Sequence, residues 1–349
     1  MNNRFFSLVE TLVGNHSLCV EGYEELIGYC SEETASYLAS EATTVRQRIY
    51  GNSIYIRGLI EISNICKNDC FYCGIRRSNK KCERYRLTPE QIFQCCEEGY
   101  KLGFRTFVLQ GAEDAFFTEK ILCDIIGSIK ENYPDCAITL SLGERSRESY
   151  QMLYNAGADR YLLRHETADS EHYGRLHPPE MYFNNRMRCL QDLRDIGFQT
   201  GCGFMVGSPY QTNSNIAKDL KFIENFKPDM CGIGPFIPQK DTLFYEKKAG
   251  TALLTCYLLS IIRLIHPPIL LPSTTALGTI EQGGREKGIL AGANVVMPNL
   301  SPLSERKKYL LYDNKICTEE ESAQSVSNLA KRIQSIGFNI VTDRGDIKI

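Results

Sequence analysis

Eight short β-rich runs, each followed by a helical pattern, constrain this chain more than any other feature. They fall at 55–62, 106–110, 137–142, 160–165, 199–205, 230–235, 269–271 and 294–297. Strands that alternate with helices pair in parallel, because the helix carries the chain back across the sheet. Eight such units predict an α/β fold whose sheet closes on itself, a complete (βα)8 TIM-type barrel. An open doubly wound sheet is the competing arrangement, but no glycine-rich dinucleotide loop follows the first run. Boundary signals agree with the alternation. Thr88-Pro89-Glu90-Gln91 offers a capping hydroxyl, a first-turn proline and a Gln at the third helical position. That helix then carries Ile92, Cys95, Cys96 and Gly99 on one face and stops at Gly103. The chain of 349 residues divides into an N-terminal helical extension at 1–50, the barrel at 51–316, and a short helix-and-strand extension at 317–349 packed outside the barrel.

Composition narrows the class of function. Lys plus Arg (40) nearly balance Asp plus Glu (42), and no basic cluster is interleaved with aromatics, so a nucleic-acid face is not expected. The N-terminus has no continuous apolar core or cleavage signal. The longest apolar runs, such as 253–265, are interrupted by polar residues and too short to cross a bilayer. A cytoplasmic protein without membrane contact is expected. Fifteen cysteines in a long chain without an export signal do not read as a disulfide framework. Most sit singly in apolar or helical settings, where Cys behaves as a small hydrophobe. Three do not.

Directly after the first run comes Cys66-Lys67-Asn68-Asp69-Cys70-Phe71-Tyr72-Cys73-Gly74, a CxxxCxxC loop with an aromatic before its last cysteine. Three thiolates on one loop can ligate three irons of a cubane cluster and leave the fourth without a protein ligand. An open coordination position is what a metal centre needs to bind and activate a substrate. The natural occupant is the amino and carboxylate end of S-adenosylmethionine (SAM), whose reductive cleavage gives methionine and a 5′-deoxyadenosyl radical. The alternative is a structural zinc loop. Zinc wants a fourth ligand, commonly from a second ligand pair, whereas Cys82 stands alone and Cys95-Cys96 are adjacent within a helix.

At these residues the chain resembles the radical SAM superfamily, and more closely the HydE family of FeFe-hydrogenase maturases. The resemblance runs from about 50 to 317. It is carried by Ser63-Asn64-Ile65-Cys66 through Gly74-Ile75-Arg76-Arg77, Arg84-Tyr85-Arg86-Leu87-Thr88-Pro89-Glu90 and Val108-Leu109-Gln110-Gly111-Ala112-Glu113-Asp114. Thr274-Thr275-Ala276-Leu277-Gly278, Gly284-Arg285-Glu286-Lys287-Gly288 and the run Ala291 to Asn299 complete it. It implies a barrel with one 4Fe-4S cluster at its mouth, SAM beside it, and a small organometallic or thiol-containing substrate inside. The substrate would be an iron–cysteine–carbonyl–cyanide synthon on the way to the diiron hydrogenase cofactor. HydG and HydF are the implied companions, and a reductant such as ferredoxin or flavodoxin is required. No catalytic side chain is expected beyond the cluster and SAM. Some members carry a second triad spaced Cx7CxxC; here Cys317 is followed by Ser325 and Asn328, so no second cluster is expected. Ala112 stands where a Ser commonly follows the Gln110-Gly111 pair.

Strand alternation and the resemblance together nominate the lining of the site. Arg164 and Glu166 share one face of the fourth run, Leu163 and His165 the other. Glu166 is expected on the amine or ribose of SAM and Arg164 on a substrate carboxylate, which its fork can bind bidentately; an internal salt bridge is the plainer reading. The resemblance adds Arg186 for the SAM carboxylate and Tyr309 for the substrate cavity. Tyr72, Gln110 and Thr139 are also placed near SAM, with Ser141 a weaker candidate. Thr274, Thr275 and Ala276 form a turn able to bind an anion through hydroxyls and amides, or simply to cap the next helix. Met297 either packs on the substrate or fills the core. Methylornithine-synthase-like and biotin-synthase-like enzymes share the cluster loop and remain alternatives, as does a non-catalytic metal module.

Overall fold

The computed structural model describes residues 3–316 and 326–348. The first barrel strand is built in two pieces, Ser53–Ile56 and Gly58–Ser63. Thr106–Gly111, Ala137–Ser141, Arg160–Leu162, Gln199–Cys202 and Met230–Cys231 follow it in parallel, each hydrogen-bonded to the one before. The seventh position is reduced to single bridges, Met230 to Leu270 and Pro272 to Val295. Val295–Val296 then pairs with Tyr55–Ile56 of the first strand, so the ring closes after eight positions. The barrel is complete. Its fourth strand stops at Leu162 rather than near 165, and beyond it Glu166 bridges Phe204 in a left-handed conformation (φ 65°).

Helices between the strands bury apolar stripes against this ring. The capping box expected at Thr88 and Gln91 is present, and Ile92, Cys95, Cys96 and Gly99 are the buried face of Pro89–Lys101. The helix Ala252–Ile265 is buried almost all round, because it also supports helices from the start of the chain. Three helices, Asn3–Asn15, Val20–Gly28 and Glu32–Tyr50, make up that N-terminal segment. The Tyr257 hydroxyl donates to Leu26 O (2.6 Å) and Tyr23 to Glu224 (2.6 Å), pinning it to two barrel helices.

After Val326–Ser335 the chain does not stay outside the barrel, as the sequence pattern implied. Asn339–Val341 pairs in parallel with Ser53–Ile56. The tail beyond it brings Gly345 O to Arg57 (3.2 Å) and Arg344 O to Arg160 (2.8 Å), and Arg160 also pairs with Asp346. Arg57 and Arg160 are buried, so the tail neutralises cations at the N-terminal end of the barrel. The opposite end carries the cysteine loop.

Candidate cluster and cofactor site

The loop leaves the first strand at Ser63, and its path is fixed by polar side chains that look inward. Asn64 donates to Glu83 O and Lys308 O (both 2.8 Å) and accepts from Tyr85 N (2.8 Å). Arg84 reaches four carbonyls, on Asn64 (2.6 Å), Ile75 (2.7 Å), Arg76 (2.6 Å) and Asn79 (3.1 Å). Asp69 accepts two bonds from Arg76 (2.8 and 3.0 Å) and one from Ser78 N (3.0 Å). Gly74 is required by contact: a Cβ there would lie 2.1 Å from Leu310 O. With the loop held in this way, its sulfurs keep only weak contacts, Cys66 Sγ accepting from Asn68 N (3.4 Å) and Cys70 Sγ meeting Met181 Sδ (3.7 Å).

Cys66, Cys70 and Cys73 are free thiols, each partly buried. Burial pushes all three up, Cys73 to about 12, and charge on Cys66 raises both Cys70 and Cys73 further. Without a cation the loop therefore resists carrying three thiolates, and iron would reverse that preference. Among the described residues no group of three Cys, His, Asp or Glu side chains is poised to hold one metal ion.

Behind the loop, Tyr72 OH meets His177 Nε2 (3.1 Å), while His177 Nδ1 faces Tyr173 O (2.9 Å). Burial, then the nearby Arg186, lowers His177 to about 3, so it is neutral and accepts from Tyr72. Arg186, on Phe183–Ile196, is buried rather than exposed, bonding Glu144 (2.5 Å) and Arg164 O (2.6 Å). Arg164 and Glu166 do face one another, at 3.2 Å.

That pair is close but poorly aligned, and Nε and Nη2 of Arg164 and Oε2 of Glu166 have no hydrogen-bond partner. Thr139 Oγ1 and Thr274 Oγ1 are likewise buried and unpartnered. Buried polar groups are rarely left so, and each costs about 1–3 kcal/mol unless something completes it. These atoms come from the third strand, the segment after the fourth, and the turn after the seventh, so a polar ligand at the C-terminal mouth fits them. Helix capping does not account for Thr274, which makes no side-chain cap bond to Thr275–Ile280. Thr275 accepts from Arg285 (3.2 Å), and Ala276 stands beside Gly234. Gln110 donates to the hydroxyl of buried Tyr309 (3.4 Å). Met297 packs with Met230, Leu270 and Val295. His165 faces the helix layer, with Gly203 N on Nδ1 (3.2 Å) and Asp219 3.3 Å from Nε2.

Sequence reasoning missed a buried group beside Tyr309. Glu61, 1% exposed, accepts from Lys315 (2.5 Å) and Asn299 (2.9 Å), and Lys315 also reaches Tyr309 O (3.0 Å). A carboxylate within an apolar strand was the available signal. Of the triad positions near the C-terminus, Cys317 and Ser325 lie outside the described residues; Asn328 is exposed on Val326–Ser335.

The profile of the radical SAM superfamily matches residues 60–223. The FeFe hydrogenase maturase subunit HydE of Thermotoga maritima is 43% identical over 307 residues, covering 88% of this chain and 87% of that one. The 3-methylornithine synthase of Methanosarcina acetivorans is 27% identical over 94% of this chain and 92% of its own. A methylornithine synthase crystal structure superposes with a TM-score of 0.84 at 24% identity, covering 96% of this chain and 97% of that one, which speaks for the fold. No helix of the described residues is long and apolar enough to cross a membrane. The superfamily works with a 4Fe-4S cluster and SAM, and on the strength of 43% identity across most of both chains this chain belongs to its HydE family of FeFe-hydrogenase maturases.

Proposed function

We propose that Cys66, Cys70 and Cys73 hold a single 4Fe-4S cluster with one iron open to SAM, and that the barrel then acts on an iron–cysteine–carbonyl–cyanide synthon. The observation that supports this reading is one end of one barrel: three free thiols share it with the Arg164–Glu166 ion pair and with Thr139 and Thr274, whose buried hydroxyls make no hydrogen bond. When bound, cluster and SAM supply a one-electron cleavage to methionine and a 5′-deoxyadenosyl radical. The chain's own residues orient and shield. Arg186, braced by Glu144 and Arg164 O, meets the SAM carboxylate. Glu166 takes the amine or ribose, with Tyr72, Gln110 and Thr139 completing that side. Arg164 and the turn Thr274-Thr275-Ala276 bind a carboxylate or other anionic part of the substrate, while Met297 and Tyr309 form the wall. Excluding water at such a site keeps a reactive radical on its intended target. The substrate is passed on from a HydG-like enzyme, and the product goes to a HydF-like scaffold, in the cytoplasm.

The test is anaerobic reconstitution with iron and sulfide, followed by SAM and dithionite and an assay for 5′-deoxyadenosine. Wild type should bind about four irons per chain and release deoxyadenosine, and Cys70→Ala should do neither. About eight irons would refute the single-cluster part. Zinc retained with no cluster formed would overturn the whole reading.

A further inference from the structure

The outer side of the cysteine loop carries its own surface. Phe71, between Cys70 and Tyr72, packs edge-on against Phe244 (ring centroids 6.1 Å apart), and Phe244 packs on Tyr210 in the same way (6.1 Å). With Arg175, Leu243 and Lys247 these rings border an open cavity of about 620 Å³. Its border mixes charged Arg175, Glu246 and Lys247 with the exposed apolar side chains Tyr210 (50% exposed) and Leu243 (62%), and Tyr245 beside them is 55% exposed. Tyr210 also adopts a left-handed backbone (φ 66°) and lies beneath two cations, Lys247 Nζ at 4.8 Å and Arg175 at 5.6 Å.

Charge on this face leans positive. Lys80, Lys240, Lys247 and Lys248 are exposed and make no salt bridge among the described residues. The acids nearby are spoken for: Asp241 by Lys81 (2.8 Å), Glu171 by Arg175 (2.7 Å) and Glu180 by Arg77 (3.6 Å). Among the described residues, Glu246, which bonds the Tyr245 hydroxyl, and Asp313, which accepts from Lys240 N (2.8 Å), are the carboxylates here without an ion pair. Four lysines against these two acids leave the face positive in a chain whose net charge is −2. The Lys81–Asp241 and Phe71–Phe244 contacts join the two segments into one continuous face over the loop.

We propose that this face docks an acidic one-electron carrier protein of the ferredoxin type, which passes its electron inward past Phe71. The proposal rests on the reading of the cysteines as cluster ligands, and it adds where the electron enters. The carrier is oxidised by one electron and the cluster reduced by one; no atom or proton changes hands. Exposed lysines keep their hydration and steer an acidic partner without holding it long, as suits a small electron-transfer interface. Exposed aromatics at the centre provide the desolvated contact that fixes orientation.

The test uses the reconstituted holoenzyme and a purified ferredoxin, measuring Kd at low and high salt. It also measures deoxyadenosine release driven either by the reduced ferredoxin or by dithionite. K247E/K248E should raise Kd by about tenfold or more and slow ferredoxin-driven turnover in step. Dithionite-driven release should be unchanged. K80E/K240E should act in the same direction, and Lys120→Glu, on Glu119–Asn132 and not among the residues bordering the cavity, should have no effect. The proposal is overturned if both pairs leave Kd within about twofold of wild type, or if Lys120→Glu weakens binding equally. Wild type that fails with dithionite would instead count against the cysteine reading, and the binding measurement would still decide the surface.

Discussion

Arg84 shows how much of the site depends on a side chain that touches no reactant. Its guanidinium holds four carbonyls at once, two within 75–76 and one each at Asn64 and Asn79. A lysine keeps the charge but not the planar fork, so it cannot face four acceptors. Arg84→Lys should cost about 2–3 kcal/mol in unfolding and lower iron content after reconstitution, because bonds from a charged donor are the stronger kind. Urea unfolding and iron analysis on the same preparation check this, and full iron content would refute it. Glu166 poses the converse case. It is strained at φ 65°, and its buried Oε2 has the 3.2 Å ion pair with Arg164 but no hydrogen bond, which suits the SAM-binding role proposed for it. Glu166→Gln should weaken SAM binding about tenfold while leaving iron content unchanged, since it removes charge but not shape. Equilibrium dialysis of SAM decides it. The neighbour relation of Arg164 and Glu166 was legible, yet not for the reason the alternation suggests. The strand ends at Leu162, and the left-handed turn, not strand geometry, brings Glu166 round. Glu61 and Lys315, 254 positions apart, offer no local pattern to read.

Elements whose signals are local were readable; those defined by distant pairing were not. The Thr88 capping box and the CxxxCxxC loop depend on residues a few positions apart, and both stand where the sequence places them. The seventh strand is only two bridges, because its neighbours on either side supply the hydrogen bonds that a longer run would. The tail was read as lying outside, whereas its charged residues complete the barrel floor. Burial works against the Asp346 carboxyl, but Arg344 and Arg160 hold it well below the usual carboxylate range. Arg160 is fully buried and also bonds Thr106 (3.0 Å) and Gln199 (3.0 Å). Removing Asp346 leaves that buried cation short of its counter-charge; because Asp346 itself is 38% exposed and screened by solvent, the cost is about 1–3 kcal/mol. Truncation after Val341 should therefore lower stability by at least that much, and Asp346→Asn by somewhat less, as the amide still accepts a bond. Thermal unfolding of both variants checks the order; a truncated chain as stable as wild type would show that the tail only covers the floor.

The whole molecule is a barrel closed at one end by the charged tail and bearing the cysteine loop at the other, with buried titratable groups between, so its stability should follow pH in a readable way. His266, at the end of Ala252–Ile265, is pushed down to about 4 by burial and then by Arg263 and Lys227. His177 is pushed down to about 3. In the unfolded chain both titrate near 6.5. Between the folded and unfolded values the unfolded state binds more protons, so stability falls as pH drops below about 6.5 and keeps falling until the folded values are reached. Each histidine then removes up to about 2 kcal/mol by pH 5. Asp219 and Asp229 act with the opposite sign, since burial raises them and their contribution is lost as pH climbs past the ordinary carboxylate range. A comparison with a variant cancels that background. The charged groups around His266 are Arg263, Lys227, His16 and Arg194 and none belongs to the cysteine loop, so His266→Asn can be studied without disturbing the site. The difference in unfolding free energy between pH 7 and pH 5 should shrink by about 1–2 kcal/mol in the variant, with an unchanged denaturant slope. A difference identical to wild type would mean that His266 is protonated in the fold and that acid sensitivity originates elsewhere, with His177 the next position to replace.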